Sequence, residues 1–458
     1  MLDAYLTRVH HAYTTSDTAS LTSLLSPDPA SPTFIQLRQH LLSTPRLRPT
    51  SYKVQVSSRF NLAPHRPFAD YLSNHLLYVR DTPVPPCSLQ DFDACCSLLE
   101  DLYKTADRLF ATAENGLFVP TLRTLTSRLI SVALAHGRSS RDANLTKAGE
   151  AARMLARPMG IAAADRSSAP VAGSTTPTKR SALYFLANST FRVYFALKNL
   201  RLCDTVLNNV HNSTVSLEGV SGNANEFPKA DRSTFWYYRG RINLYQRRLG
   251  SAKTDLTKSL RECHLSSSAG LKNARLILIY LITASLPLGY FPNYQILEHF
   301  QLHEQFGPSI LEPLRKGNWA RASEHLDQYR DWHLEHGNYL LLREKLEVVC
   351  WRNLARQTLL VSTGGQPIPA TGPPTLSLAL LLKSARIAWS TPSTSSHPGQ
   401  NGVGPGRGVE DLDEDDIESI AVSLMDQGYI KAYIMHSKRL LVLQKGQHFG
   451  FPPLSSVG

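Results

Sequence analysis

Residues 226–264, EFPKADRSTFWYYRGRINLYQRRLGSAKTDLTKSLRECH, run on to NARLILIYLITASLPLGYFP at 273–292, and these two strings decide the fold. Trp236, Tyr237, Gly240, Leu244 and Tyr245 fall at helical spacing. Leu249, Gly250 and Ser251 then offer a stop and a start, because Gly accepts the left-handed conformation that ends a helix and Ser can cap the next. The second helix carries Ala252, Leu256 and Leu260 on one face, and the small Gly240 and Ala252 let two antiparallel helices approach closely. A hairpin of this kind running into an apolar helix points to a scaffold rather than an enzyme.

Outward from that stretch, 458 residues with 42% hydrophobic content allow a substantial core in roughly two to four domains. The first residues carry Asp3, Arg8, His10 and His11 where a signal peptide has an apolar run, so secretion is not expected. The longest apolar run, 276–288, is interrupted by Thr283 and Ser285 and is shorter than the roughly 20 residues that span a bilayer. It reads as a core helix, with no membrane partner. Six scattered cysteines without a CxxC spacing suit free thiols in a reducing compartment, and the adjacent Cys95 and Cys96 read as ordinary buried thiols.

Lys and Arg exceed Asp and Glu by 12, which favours acidic partners. Two stretches hold much of this excess. Residues 231–264 contain eight basic residues, among them Arg241, Arg247 and Arg248, against three acidic ones. Residues 429–448 contain Lys431, Lys438, Arg439 and Lys445 and no acid.

Amphipathic patterns such as Leu98, Leu99, Leu102, Leu109 and Phe110, then Leu122, Leu125, Leu129 and Ile130, predict N-terminal helical repeats over 1–160, interrupted at Pro83, Pro85 and Pro86. The small, polar string DRSSAPVAGSTTPTK at 165–179 predicts a flexible linker over 161–181. Helix returns at 182–210 through Phe191, Tyr194, Phe195, Leu200, Leu202 and Cys203, and a polar loop over 211–225 precedes the opening motif. Leu314, Gly317, Trp319, Ala322 and Leu326 repeat the small-and-apolar logic of the hairpin, so helical repeats are expected over 182–336. A long helix at 339–360 and another at 375–389 follow, separated by a Gly/Pro segment at 363–374; a second low-complexity insert covers 390–408. Seven carboxylates at 410–418 suit the start of a helix through Ile417, Ile420, Ala421 and Leu424, which Gly428 ends. Residues 429–434 alternate, with Ile430, Ala432 and Ile434 opposite Tyr429, Lys431 and Tyr433, and 440–443 supply a partner strand. Helix, helix, helix, hairpin is a winged-helix order, expected over 337–445 with a tail at 446–458. The fold class is therefore all-α: a right-handed, tetratricopeptide-like repeat array ending in a winged-helix subdomain.

No pattern supports catalysis. The GVGPGRG run at 402–408 follows no strand, contains Pro405 and lacks the Gly-Lys-Ser/Thr ending of a nucleotide loop. His299 and His303 stand four apart on a predicted helix, a spacing that can reach one zinc, but Phe300 sits where a metalloprotease carries Glu. Neither a catalytic residue, a metal nor a cofactor is expected. Lys431, Lys438, Arg439 and Lys445, on or beside the wing, are the leading nucleic-acid-binding candidates; the alternative is an edge strand kept soluble by its lysines. Arg241, Arg247 and Arg248 form a weaker second set.

The strings EFPKADRSTFWYYRGR and LILIYLITASLPLGYFP, with the ending GYIKAYIMHSKRLLVLQK, resemble the PCI-domain proteins, named for the proteasome lid, COP-nine signalosome and initiation-factor complexes. Within them the likeness is to the branch of the Thp-type mRNA-export subunit and the signalosome twelfth-subunit homologues. It covers roughly residues 182–445, and 1–160 only loosely; the inserts at 363–374 and 390–408 depart from the pattern. The resemblance implies a non-enzymatic, nuclear subunit of a transcription-coupled mRNA export complex, with the cytoplasm as a second location. Its implied partners are a larger PCI scaffold protein, a small acidic proteasome-lid-type protein, and RNA or DNA held at the winged helix through Lys431, Lys438 and Arg439. The alternative it leaves is a signalosome- or splicing-associated protein-interaction subunit without direct nucleic-acid binding.

Overall fold

The Lys229–Tyr245 helix carries the opening motif, and the chain divides within it into two units, Met1–Tyr238 and Arg239–Gly458. The computed structural model describes residues 2–43, 49–60, 65–113, 116–142, 144–166, 177–213, 227–364, 372–389, 411–446 and 448–457. Helices 183–211 fall in the first of these units.

The first unit is a succession of helices, Arg66–Asp81, Leu89–Thr112 and Val119–Ser140 among them, that pack neighbour on neighbour. The predicted apolar faces are the packed ones: Leu99, Leu102, Leu109, Phe110, Leu122, Leu125, Leu129 and Ile130 are all buried. Cys95 and Cys96 are buried free thiols on the same helix, and burial pushes the Cys96 thiol up to about 12. The expected single helix over 182–210 is two, Leu183–Ala196 and Arg201–His211, because Lys198 takes a left-handed φ of 55° between them; Leu202 is consequently exposed. The linker is also shorter than expected. Residues 161–164 belong to the Ala156–Ala164 helix, and Lys179–Ala182 form a 3-10 turn in which the Arg180 backbone N–H donates to the Asp165 carboxylate at 3.1 Å. Residues 167–176 of that linker lie outside the described residues, as do 214–225 of the polar loop, 365–371 and 390–408 of the inserts, and the GVGPGRG run.

In the second unit the hairpin pairs the remainder of Lys229–Tyr245 with Leu249–Glu262. A Cβ on Gly240 would stand 2.7 Å from Leu256 Cγ, so the small residue is what permits the approach, as the sequence suggested. The turn itself differs. Arg247, at φ 61°, takes the left-handed position, whereas Gly250 and Ser251 lie inside the second helix. Tyr245 is exposed rather than packed, and Ile242 joins Leu244 on the packed face. What pins the hairpin is a carboxylate: buried Asp255 accepts two bonds from Arg239 (2.8 and 2.6 Å) and one from Asn243 (2.9 Å). Within the first unit Arg123 holds Asp231 in the same bidentate manner, at 2.6 and 3.0 Å.

The apolar run forms the Ser268–Ser285 helix, and no described helix is long and apolar enough to cross a membrane. Pro308–Lys316 and Trp319–Gln328 make the second hairpin, turned by Gly317 at φ 77°. The long Tyr339–Ser362 helix packs on it and leads into the terminal module. There, residues Thr375–Ser377 are a strand, β1, where helix was expected. It is followed by helices Leu378–Trp389 and Glu414–Asp426, then β2 (Ala432–Met435) and β3 (Leu440–Leu443). The sheet order is β1-β3-β2, antiparallel throughout, with Leu376 opposite Leu441 and Tyr433 opposite Val442. A helical-repeat array ending in a three-stranded winged helix is the observed architecture. The expected tail is folded too: Phe451 and Leu454 are buried in the same core as Leu286, Trp319 and Leu441.

Candidate nucleic-acid interface

The winged helix is fastened to the repeat beneath it by Trp389, whose ring lies 4.1 Å from that of Trp351 and whose indole N–H donates to the Gly317 carbonyl at 3.1 Å. Leu376, Leu441 and Leu443 of the sheet belong to the same buried core as Ile417, Ala421 and Leu424 of the Glu414–Asp426 helix. The outer features of β2 and the hairpin are left to solvent.

Four of the seven predicted cations belong to this hairpin, and the structure sorts them to its two ends. Lys431 and Lys445 flank the open end, where the Lys431 N–H donates to Gly450 at 2.7 Å and its carbonyl accepts from Gln444 at 2.8 Å. Lys438 and Arg439 sit at the turn, separated from the first pair by a four-residue strand, about 13 Å at the usual rise. Both lysines of the open end are exposed and line an open groove of ≈ 640 Å³. Its wall includes Tyr433, 59% exposed on the edge strand, together with Pro373, Met425 and Val442, and no carboxylate among the described residues lines it. Tyr433 is the residue sequence reasoning passed over. The alternation at 429–434 placed it beside Lys431, but only the edge position of β2 shows that nothing described covers it. Tyr429, expected on that same outer face, is buried instead, since regular pairing begins at Ala432.

At the turn the charge is already engaged. Arg439, at φ 52°, pairs with Asp415 and approaches Glu418 at 3.6 Å, and His436 meets the same Glu418 at 2.9 Å. The Arg439 guanidinium accordingly holds the Asp415 carboxyl below its usual range, and Lys438 alone of the turn cations is directed to solvent without a described ion pair. Asp413 caps this helix and Glu414, Asp415 and Asp416 fill its first turn. A helix beginning with three carboxylates repels phosphate where a groove-reading helix would have to enter. Any nucleic acid is therefore better received along the β2 edge than by this helix.

The second set of cations is dispersed by its packing. Arg241 lies over the Tyr280 ring at 4.4 Å and donates to the Tyr245 hydroxyl at 3.3 Å, half-buried within the repeat. Arg247 pairs with Glu344, and Arg248 is exposed just before the second helix. His299 and His303 do not share a helix, because the chain breaks at Gln301 (φ 53°), and no cluster of three or more metal-ligating side chains occurs among the described residues.

No family model matches the chain. It is similar along its length to a Schizosaccharomyces pombe protein named as PCI domain-containing, 28% identical over 468 residues that span 100% of this chain and 96% of that protein. PCI domain-containing protein 2 of Xenopus laevis is 29% identical over 280 residues, 61% of this chain and 59% of its own length. Enhanced ethylene response protein 5 of Arabidopsis thaliana is 27% identical over 271 residues, 59% of this chain and 57% of its own. These likenesses, with the repeat array and its winged helix, support a PCI-domain protein.

Proposed function

We propose that the chain is a non-enzymatic PCI scaffold subunit of a nuclear complex that couples transcription to mRNA export, and that its winged helix contributes to binding RNA or DNA. The observation that carries this reading is the groove on the β2 edge, free of carboxylates among the described residues, where Lys431 and Lys445 at the open end of the hairpin share a wall with exposed Tyr433. Cations there neutralise phosphates while an exposed ring offers a stacking face that any base can use, a combination suited to single strands. The scaffold's partners in this reading are a larger PCI protein and a small acidic protein of the proteasome-lid type.

The test is a gel-shift titration of the assembled complex with single-stranded RNA and DNA. Charge reversal at Lys431 and Lys445 is expected to weaken binding, and Tyr433→Ala to weaken it further by about 1–3 kcal/mol. With two or three phosphates neutralised, affinity should fall roughly tenfold between 50 and 200 mM salt. Unchanged binding in the double charge reversal would sink the nucleic-acid part.

The engagement of Arg439 and His436 by Asp415 and Glu418 favours a second reading, in which the wing packs on protein and touches no nucleic acid. Affinity purification followed by mass spectrometry separates the two, since the second predicts signalosome or splicing subunits in place of an export scaffold.

A further inference from the structure

The folded C-terminal segment closes one side of a pocket of ≈ 490 Å³ in the second unit, whose other walls are the turn at 288–291 and the helices Pro308–Lys316 and Tyr339–Ser362. Arg315, Arg352 and Arg356 line it, and among the described residues no Asp or Glu does. Arg315 and Arg356 are exposed, the former lying over the Phe291 ring at 4.6 Å. Neither has an ion pair among the described residues.

Arg352 differs from both. It is 8% exposed and has no carboxylate partner among the described residues: one Nη donates to the Asn353 side-chain oxygen (2.9 Å), the other to the carbonyls of Phe451 (3.3 Å) and Pro452 (2.8 Å), and the guanidinium lies 5.7 Å from the Phe451 ring centroid. A guanidinium has five N–H donors, and these bonds use three. The Nε–H is buried and finds no acceptor among the described residues. Burial, and then the repulsion of neighbouring Arg356, brings its pKa down to about 10. At the rim Tyr290 is held below the usual phenol range by its hydrogen bond with Ser455 and by Lys253, whose ammonium lies 3.1 Å from the ring centroid. Buried cations are ordinarily paired, because desolvating an unpaired charge is costly. Here a buried arginine and two exposed arginines converge on a cavity that no anionic side chain lines among the described residues.

We propose that this pocket binds a small phosphate-bearing anion, with Arg315 and Arg356 gripping its outer oxygens and Arg352 supplying the buried donor. A guanidinium fork matches carboxylate and phosphate oxygens alike in geometry, and it is the convergence of three guanidinium charges that favours a multiply charged phosphate over a monovalent carboxylate. The cavity is larger than one phosphate group requires, leaving room for the group that carries it. This inference is independent of the wing, and its test uses different residues.

Inorganic pyrophosphate and orthophosphate serve as probes on the full chain, by calorimetric titration and thermal melting, with sodium chloride matched for ionic strength. Saturable binding of one pyrophosphate per chain with a rise in Tm above the chloride control is expected. The double variant Arg315→Glu/Arg356→Glu, at exposed positions outside the core, should weaken it at least tenfold, while Arg247→Glu, outside the pocket, leaves it unchanged. Orthophosphate binding as tightly as pyrophosphate would identify free phosphate as sufficient, and weaker binding would assign the remaining contacts to a larger phosphate compound. No saturation above the chloride control, or equal weakening by Arg247→Glu, overturns the proposal.

Discussion

A methyl group on Gly317 would stand 2.4 Å from the Leu354 nitrogen and 2.8 Å from the Cys350 carbonyl oxygen, backbone atoms that cannot turn aside. The residue also holds φ 77°, which costs a side chain about 1–2 kcal/mol before any clash. Gly317→Ala is therefore expected to lower stability by about 3 kcal/mol or more. Gly240→Ala meets Cγ of buried Leu256 at 2.7 Å, with the Leu256 backbone nitrogen at 3.3 Å behind it, and should cost about 1–3 kcal/mol. Gly250→Ala has open space in a helix and should raise stability by about 0.5 kcal/mol. Urea unfolding midpoints check all three, and the opposite sign at Gly250 distinguishes a glycine in the first turn of a helix from one held at positive φ or at a close helix approach. Legibility at this scale followed locality. Gly240 and Gly317 were readable because small residues recur between apolar ones, while the left-handed Arg247 was not, since arginine carries no turn signal and Gly250, three residues on, does. Asp255 was equally silent: its burial depends on Arg239 and Asn243 reaching it from the facing helix.

Among the elements, the Leu378–Trp389 helix links sheet to repeat. Its terminal Trp389 is 1% exposed and uses its indole N–H to satisfy the Gly317 carbonyl. Trp389→Phe keeps most of the ring but leaves that carbonyl without its donor, and should cost about 1–3 kcal/mol. Circular dichroism melts of the variant measure the loss; a Tm unchanged from the parent would refute the anchoring role. The neighbouring β1 shows why elements are harder to read than faces. Thr375, Leu376 and Ser377 run straight into a leucine-rich helix, and their extended conformation comes from pairing with Leu440, Leu441 and Val442, more than sixty positions away. The hairpin β2–β3, whose strands are neighbours in sequence, was legible from alternation. Its electrostatics were not, because Arg439 finds Asp415 across the fold and a cluster of four cations in sequence becomes two separate ends.

For the whole molecule, acid sensitivity is written into both units. His75 in the first and His333 in the second are buried, and burial lowers each to about 4. His333 Nδ1 lies 3.0 Å from the Asn338 side-chain oxygen, and Asn338 in turn donates to Thr283 at 3.0 Å, so the ring is built in as the neutral form. A histidine with a depressed folded pKa binds its proton more readily once unfolded. Stability is thus full above about pH 6.5 and falls as the pH drops through that value towards 4, by on the order of 2–3 kcal/mol for each ring. Chemical denaturation repeated between pH 4 and 8 should show this slope, and His333→Gln should remove its share. A slope of the same size in the variant would assign the effect elsewhere.

The Lys229–Tyr245 helix, in which the two units meet along the chain, sets a practical limit on dividing the protein for expression. A cut between Tyr238 and Arg239 leaves helix stubs shorter than the dozen or so residues at which helices persist alone in water. One stub would strand Phe235 and Trp236 and the other Ile242 and Leu244, each an apolar edge made by the scissors rather than by the sequence. Recombinant halves are better designed to carry the complete helix, so that either product keeps a whole element at its boundary.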